Sequence, residues 1–112
     1  MMLAELTPIL LTDVKNELGY PLFESDAELD DRLERYLRQG DAMMERIAGA
    51  ALDYEQDAEA RGMLVDYCRY ANAQASAQFM ENYAPALASL HARYTVNAYL
   101  TAQEVGNDGE AD

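Results

Sequence analysis

The sequence predicts an all-α protein, a small bundle of about four helices in a single domain. Half of its 112 residues are hydrophobic, and they recur every three or four positions, which is the spacing of one helix face. No segment shows the alternation of β-branched and polar residues that is typical of a strand. Gly19, Gly49 and Pro85 lie where one periodic segment ends or the next begins, as expected of residues that end or start helices.

The N-terminal segment is predicted to be irregular before a short first helix. Pro8 has no amide hydrogen and disfavours a regular helix, so we expect the first eleven residues to form an extended lead-in. Thr12 is expected to cap a helix over residues 13–18. Gly19 is expected to end that helix in a left-handed conformation.

The second helix carries the strongest local signal. Ser25 and Glu28 have the spacing of a capping box, which predicts a helix from Ser25 to about Ala48. Gly49 is the expected C-terminal cap. An apolar stripe follows the cap at helical spacing: Leu29, Leu33, Tyr36, Gly40, Met44 and Ile47. Glycine at position 40 costs about 1 kcal/mol of helix propensity relative to alanine, so we expect another helix to approach closely there.

A connector over residues 49–56 and a third helix over about 57–82 are predicted next. The third helix has an apolar face and a second, flanking one: Leu64, Tyr67, Cys68, Ala71, Ala75 and Phe79, then Met63, Tyr70, Gln74 and Ala77. Such a wide apolar surface is a candidate subunit contact. Pro85 fits the first turn of a fourth helix that ends near Thr101. A helical domain would then span residues 1–104, followed by a flexible acidic tail over 105–112.

The charge balance restricts the partners. The chain has 21 acidic and 8 basic residues and a formal net charge of −13. A free nucleic-acid-binding protein needs a basic surface, and anionic membrane surfaces would repel this chain. The balance favours a protein that repels polyanions or docks on a basic partner.

The carboxylates at the start of the second helix could be read as metal ligands: Asp26, Glu28, Asp30, Asp31 and Glu34. Arg32 and Arg35 interleave with them, which favours a solvated helix face instead. The acidic segment 53–59 lacks the glycine that a calcium loop needs at its sixth position. We therefore expect no metal site and no cofactor.

Cys68 and His91 are the only cysteine and the only histidine. Each falls on an apolar helix face, which favours a core thiol and a packed structural histidine. A Cys68–His91 pair stays open as a third reading, that of a small enzyme. No other catalytic pattern is present, so we expect no enzymatic activity and no catalytic residue. The eight tyrosines are compatible with core packing and with a protein–protein interface.

Five features of the sequence form one pattern: Leu-Thr-Asp-Val-Lys-Asn-Glu-Leu at 11–18, Asp-Ala-Glu-Leu-Asp-Asp-Arg-Leu at 26–33, the break at Gly49, and the segments 64–70 and 79–83. Together they resemble the head–tail connector proteins, also called adaptor or head-completion proteins, of tailed bacteriophages and prophages. The resemblance covers about residues 9–95. These are degenerate helical patterns that concern packing, so no family binding residue is carried over.

The resemblance implies a structural protein that forms a homo-oligomeric ring, typically of twelve subunits, beneath the portal. The ring would extend the DNA channel and offer a platform to the tail, with the portal protein and tail-completion proteins as partners. DNA would pass through without sequence-specific binding, and no membrane would be involved. The protein would lie in the neck of the virion, after assembly in the host cytoplasm.

A closed ring requires two different contact surfaces on each subunit. The apolar lead-in and the second face of the third helix are the candidates: Ile9, Leu10, Leu11, Met63, Tyr67, Tyr70, Gln74 and Tyr99. A candidate acidic face, turned to the DNA channel or to a basic partner, holds Asp26, Asp30, Asp31 and Glu34. The alternative is a small acidic helical regulator or inhibitor that acts by protein–protein contact or mimics the charge of DNA.

Overall fold

The computed structural model describes residues 3–20 and 26–111, with side chains at 5–20 and 26–102. Over these residues the backbone forms five helices and no strand: α1 (Leu3–Leu18), α2 (Ala27–Ala48), α3 (Ala58–Asn72), α4 (Ser76–Asn82) and α5 (Ala84–Ala111). The predicted all-α bundle is confirmed, with five helices instead of about four. α2 is central, because α1, α3 and α5 all pack against it.

α1 begins well before the short helix that the sequence predicts, so the irregular lead-in and the Thr12 cap are wrong. Leu6, Leu10 and Val14 lie one turn apart and are fully buried, because α1 packs against α2 and α3. Their burial outweighs the helical hydrogen bond that is missing at Pro8. Thr12 lies inside the helix and donates its hydroxyl to the Pro8 carbonyl at 3.1 Å.

The end of α1 matches the prediction. Gly19 adopts a left-handed φ of 76°. Its N–H donates to the Asn16 carbonyl at 3.2 Å, and the Tyr20 N–H donates to the Lys15 carbonyl at 2.9 Å. This pair of bonds is a Schellman motif, which satisfies two carbonyls that the helix itself leaves free.

α2 is capped at its start by Asp26, whose carboxylate accepts the Leu29 N–H at 3.1 Å. Ser25, the predicted cap, lies outside the described residues. The helix ends at Ala48, with Gly49 in the left-handed region at φ 75°, so the predicted C-terminal end is confirmed.

The close helix approach predicted at Gly40 is also confirmed. A Cβ atom at this position would lie 2.6 Å from Cδ1 of Tyr67 and 2.7 Å from Cδ1 of Leu64. Both residues belong to α3, so the missing side chain of Gly40 is what lets α2 and α3 pack so tightly.

The single helix predicted over 57–82 is two helices in the structure. α3 ends at Asn72, and Gln74 takes a positive φ of 58°. The Gln74 N–H donates to the Ala71 carbonyl, and the Ala75 N–H donates to the Tyr70 carbonyl. This is a second Schellman motif, with glutamine at the position that glycine usually occupies. The break turns α4 back, so that Phe79 packs edge-on against Tyr67 and Tyr70.

α5 begins with Pro85 in its first turn, as predicted, and runs to Ala111, past the predicted end near Thr101. Leu87 and Leu90 are buried in the core. From Thr95 to residue 102 every side chain is exposed. The molecule measures 60 × 29 × 17 Å along its principal axes. The flexibility predicted for residues 105–112 stays a prediction.

Candidate assembly surfaces

The residues predicted to form a subunit interface do not lie on one surface. Leu10 and Met63 are buried in the core of the chain itself, so they are unavailable to a partner in this fold. Leu11, Tyr67 and Tyr70 are half-buried against that core. Only Ile9, Gln74 and Tyr99 of the predicted set are exposed.

The predicted acidic face is only partly open. Asp26 accepts a hydrogen bond at the start of α2, and Asp30 is paired with Lys15 of α1 at 2.5 Å. Asp31 is exposed and Glu34 is half-buried. Among the described residues, no group of three acidic, histidine or cysteine side chains could hold a metal ion. The carboxylates at the start of α2 therefore cap and tether the helix, as well as facing solvent.

The basic residues divide into two groups, and this division is not visible in the sequence. Lys15, Arg61, Arg69 and Arg93 each form an ion pair with an aspartate. The other four are Arg32, Arg35, Arg38 and Arg46, all on α2, and none of them lies within 4 Å of a carboxylate among the described residues.

Three of these unpaired arginines form a row along the solvent side of α2. Arg35, Arg38 and Arg46 are exposed, as are Gln39 and Ala42 between them. Spacings of three and four residues place all five on one helix face. We call Arg35, Arg38 and Arg46 the arginine row. It is a basic strip, without an ion-pair partner among the described residues, on a protein whose net charge is −13.

A groove of about 510 Å³ lies beside the arginine row, between α2, α3 and α4. Met43, Tyr67 and Met80 are the large apolar or aromatic residues that line it, and Met80 is 41% exposed. The remaining lining residues are Gln39, Ala42, Arg46, Ser76 and Ala77. We call this the α2–α4 groove. Arg46 belongs both to its wall and to the arginine row.

Residues 95–102 of α5 form a second uncovered apolar surface. Val96, Tyr99 and Leu100 are 54%, 62% and 53% exposed. They share one helix face, because Tyr99 and Leu100 follow Val96 by three and four residues. Residues 94, 97, 98, 101 and 102 line a different groove of about 580 Å³ beside Ala50. We call residues 95–102 the α5 arm; its three large apolar side chains point away from the bundle.

The α5 arm leaves the bundle at a polar cluster around Asp57, the N-cap of α3. The Asp57 carboxylate accepts from the Ala60 N–H at 3.0 Å, Arg93 Nη1 at 2.9 Å and the Tyr94 hydroxyl at 2.8 Å. Burial alone would raise the pKa of Asp57, but these hydrogen bonds outweigh it and lower the pKa. The cluster therefore fixes the direction in which α5 leaves the bundle.

Two tyrosines hold the bundle through half-buried carboxylates. The fully buried Tyr54 donates to Asp41 of α2 at 2.5 Å, and its pKa is raised by burial and by that carboxylate. Tyr83 donates to Asp66 of α3, and this hydrogen bond, with burial, raises the pKa of Tyr83 to about 12. These contacts support a structural role for part of the tyrosine set.

Cys68 and His91 are placed differently from each other. Cys68 is fully buried, as predicted, and burial raises the pKa of its thiol to about 12. His91 is exposed, so the prediction of a packed histidine is wrong. Its Nδ1 lies 2.7 Å from the Ile47 carbonyl; because a carbonyl only accepts, Nδ1 carries the hydrogen. His91 thus caps the end of α2, and the structure does not assemble a thiolate–imidazole pair.

Sequence reasoning missed the arginine row, Met80, Val96 and Leu100 as members of these surfaces. The spacing of the three arginines along the polar face of α2 is visible in the sequence, but their lack of carboxylate partners is not. No protein-family model, curated protein or solved structure matches this chain. No helix within the described residues combines the length and apolarity that a membrane span requires.

Proposed function

We propose that this chain is a structural subunit of a head–tail connector in a tailed bacteriophage or prophage. Copies would form a ring, typically of twelve, below the portal, where they extend the DNA channel and offer a platform to the tail. The observation that carries the proposal is the presence of two separate uncovered surfaces, the α5 arm and the α2–α4 groove.

Two unlike surfaces are what a ring requires. In a cyclic assembly with more than two subunits each copy contacts one neighbour through one surface and the next neighbour through another. A two-fold dimer needs only a single self-complementary surface. The arm and the groove differ in shape and in charge, which favours the head-to-tail arrangement.

The charge of the chain supports passage of DNA rather than its capture. A net charge of −13 repels phosphates and gives no counterion release on contact with DNA. Asp31 and Glu34, near the start of α2, are the candidate channel residues that no described cation pairs with.

Portal and tail-completion proteins would be the partners, in the neck of the virion after assembly in the host cytoplasm.

The DNA-mimic alternative is less well supported. A mimic would present carboxylates in an unbroken row, whereas Asp30 is paired with Lys15 and the arginine row follows Asp31 and Glu34 on the same helix. The sign of the charge therefore changes along α2 within a few turns.

The test is negative-stain electron microscopy of the purified chain, alone and mixed with the portal protein of the same phage. We expect added ring density on the tail-facing side of the portal. An unrelated acidic helical protein of similar size is the control and should add none. A monodisperse protein that never joins the portal would contradict the proposal.

A further inference from the structure

We propose that the α5 arm of one copy docks in the α2–α4 groove of a second copy. The inference rests on the proposed function in one respect, that copies of the chain associate, and it names the two surfaces that meet. The occupant of the groove is thus a second copy of this chain, and the docking residues are Val96, Tyr99 and Leu100.

The shapes of the two surfaces correspond. The arm offers large apolar side chains at positions i, i+3 and i+4, which is how a helix presents anchors to a groove. The groove is open, holds about 510 Å³, and includes Met43, Tyr67 and Met80 in its lining. Methionine side chains adapt their shape to a partner, so the groove can receive a tyrosine and a leucine side by side.

The charges also correspond. The arm itself carries no charged residue, but the sequence after it, residues 103–112, holds four acidic residues and no basic one. The arginine row borders the groove and has no carboxylate partner among the described residues. An arm seated in the groove brings the acidic end of one copy near the unpaired arginines of another, where opposite charges attract.

The geometry disfavours a groove filled by the arm of the same copy. α5 is one unbroken helix, and its start is packed against α4 and α2, so the arm extends beyond the bundle rather than back onto it. Because arm and groove are different surfaces, each contact leaves a free arm on one copy and a free groove on the other. Such a contact propagates from copy to copy, and it gives a ring when the rotation between neighbouring copies closes.

A mixing experiment tests this arrangement. Leu100→Glu disables the arm and Met80→Glu disables the groove, each with the other surface intact; Ala77→Glu is a second groove variant. Sedimentation velocity should show wild-type oligomers, and each variant alone should be monomeric, with association weakened about thirtyfold or more. An equal mixture of the arm and groove variants should form a discrete dimer, because one intact arm meets one intact groove.

Matched controls separate docking from a general effect of added charge. Thr101→Glu lies on the opposite face of the arm and should leave oligomers intact, as should Asn16→Glu on the exposed side of α1. Circular dichroism checks that every variant folds. Raising the salt concentration should weaken wild-type association, because it screens the arginine row from the acidic end.

Three results would overturn the inference: a wild-type chain that stays monomeric at millimolar concentration, single variants that keep the wild-type oligomer, or a mixture that stays monomeric. The connector proposal fails separately. If Leu100→Glu still forms rings on the portal, the docking inference is wrong and the connector proposal stands. If copies associate by arm and groove but never join a portal, the connector proposal is wrong and the docking inference stands.

Discussion

Gly40 of α2 lies against the ring of Tyr67 of α3 so closely that a Cβ atom at position 40 would sit 2.6 Å from Tyr67 Cδ1. We therefore expect Gly40→Ala to destabilise the protein, although alanine is the better helix former. The gain in propensity is about 1 kcal/mol, and overpacking a core contact costs about 1–3 kcal/mol. Urea unfolding should show a net loss of up to about 2 kcal/mol.

Gly62 provides the matched control. It lies inside α3, is exposed, and a Cβ atom there would meet nothing within 4 Å. Gly62→Ala should raise the free energy of unfolding by about 0.5–1 kcal/mol. Equal effects of the two substitutions would mean that α2 and α3 are not packed as closely as described.

Asp57 should contribute more to stability than an ordinary helix cap. Asp57→Ala removes the N-cap of α3 and leaves Arg93 and Tyr94 without their shared acceptor. We expect a loss of about 2–4 kcal/mol at pH 7. Asp26→Ala, which removes only the cap of α2, should cost about 1 kcal/mol. Thermal and urea unfolding of both variants would compare them.

The cluster around Asp57 should also make the stability of the protein depend on pH in acid. The pKa of Asp57 is lowered in the folded protein, so its charged form contributes stability that is present above the unfolded pKa, near 4, and is lost as the pH falls through the folded pKa. Asp57→Asn keeps an oxygen for the cap but cannot titrate, so its stability should fall less between pH 5 and pH 2 than that of the wild type. Parallel pH profiles would contradict this role.

Tyr83 should make stability sensitive to alkali. Its hydrogen bond to Asp66 raises its pKa to about 12, above the unfolded value near 10. A raised pKa gives stability that is complete below pH 10 and is lost as the pH rises through 12. Tyr83→Phe should therefore unfold at lower urea concentration than the wild type below pH 10. This difference should shrink as the pH rises from 10 towards 12. Tyr20→Phe, at an exposed site just after α1, is the control and should track the wild type.

Cys68 should resist modification until the protein unfolds. The thiol is fully buried and its pKa is raised to about 12. At neutral pH the side chain is therefore almost entirely protonated, and a reagent cannot reach it in the folded protein. We expect alkylation at pH 8 to be about a hundredfold slower in buffer than in denaturing urea. Rapid reaction of the native protein would revive the reading of Cys68 as a nucleophile.

The acidic channel hypothesis predicts an effect of charge reversal. Asp31→Lys with Glu34→Lys should slow DNA packaging and ejection, because lysines would hold the phosphates as they pass. The neutral pair Asp31→Asn with Glu34→Gln is the control for loss of charge alone. Unchanged packaging and ejection in the lysine variant would contradict a channel position for these residues.

Local chemistry accounts for most of what the sequence predicted correctly. Gly19 and Gly49 end their helices because each takes a left-handed φ, and Pro85 starts α5 because its missing N–H would be free there in any case. Gly40 predicted a close helix approach because it lies mid-helix on the apolar face. Each of these inferences depends only on the residue and its near neighbours.

The errors arose where tertiary packing overrides local preference. Pro8 suggested an irregular segment, but buried side chains on the same helix outweigh one missing hydrogen bond. The break after α3 carries no glycine or proline, since Gln74 takes the left-handed position itself. Lys15 pairs with Asp30 and Arg61 pairs with Asp13, and each pair joins two different helices. Because such pairs depend on how the helices pack, the arginines left without a partner could not be identified from sequence alone.

The unbroken α5 has a mechanical consequence for any assembly built through its arm. A helix of 28 residues without a hinge is a stiff lever roughly 42 Å long, whose inner end is clamped by Leu87 and Leu90 in the core. The angle between neighbouring copies, and with it the curvature and subunit number of a ring, would then be set inside each bundle. A repacked core could change the diameter of the assembly without touching the surfaces that meet.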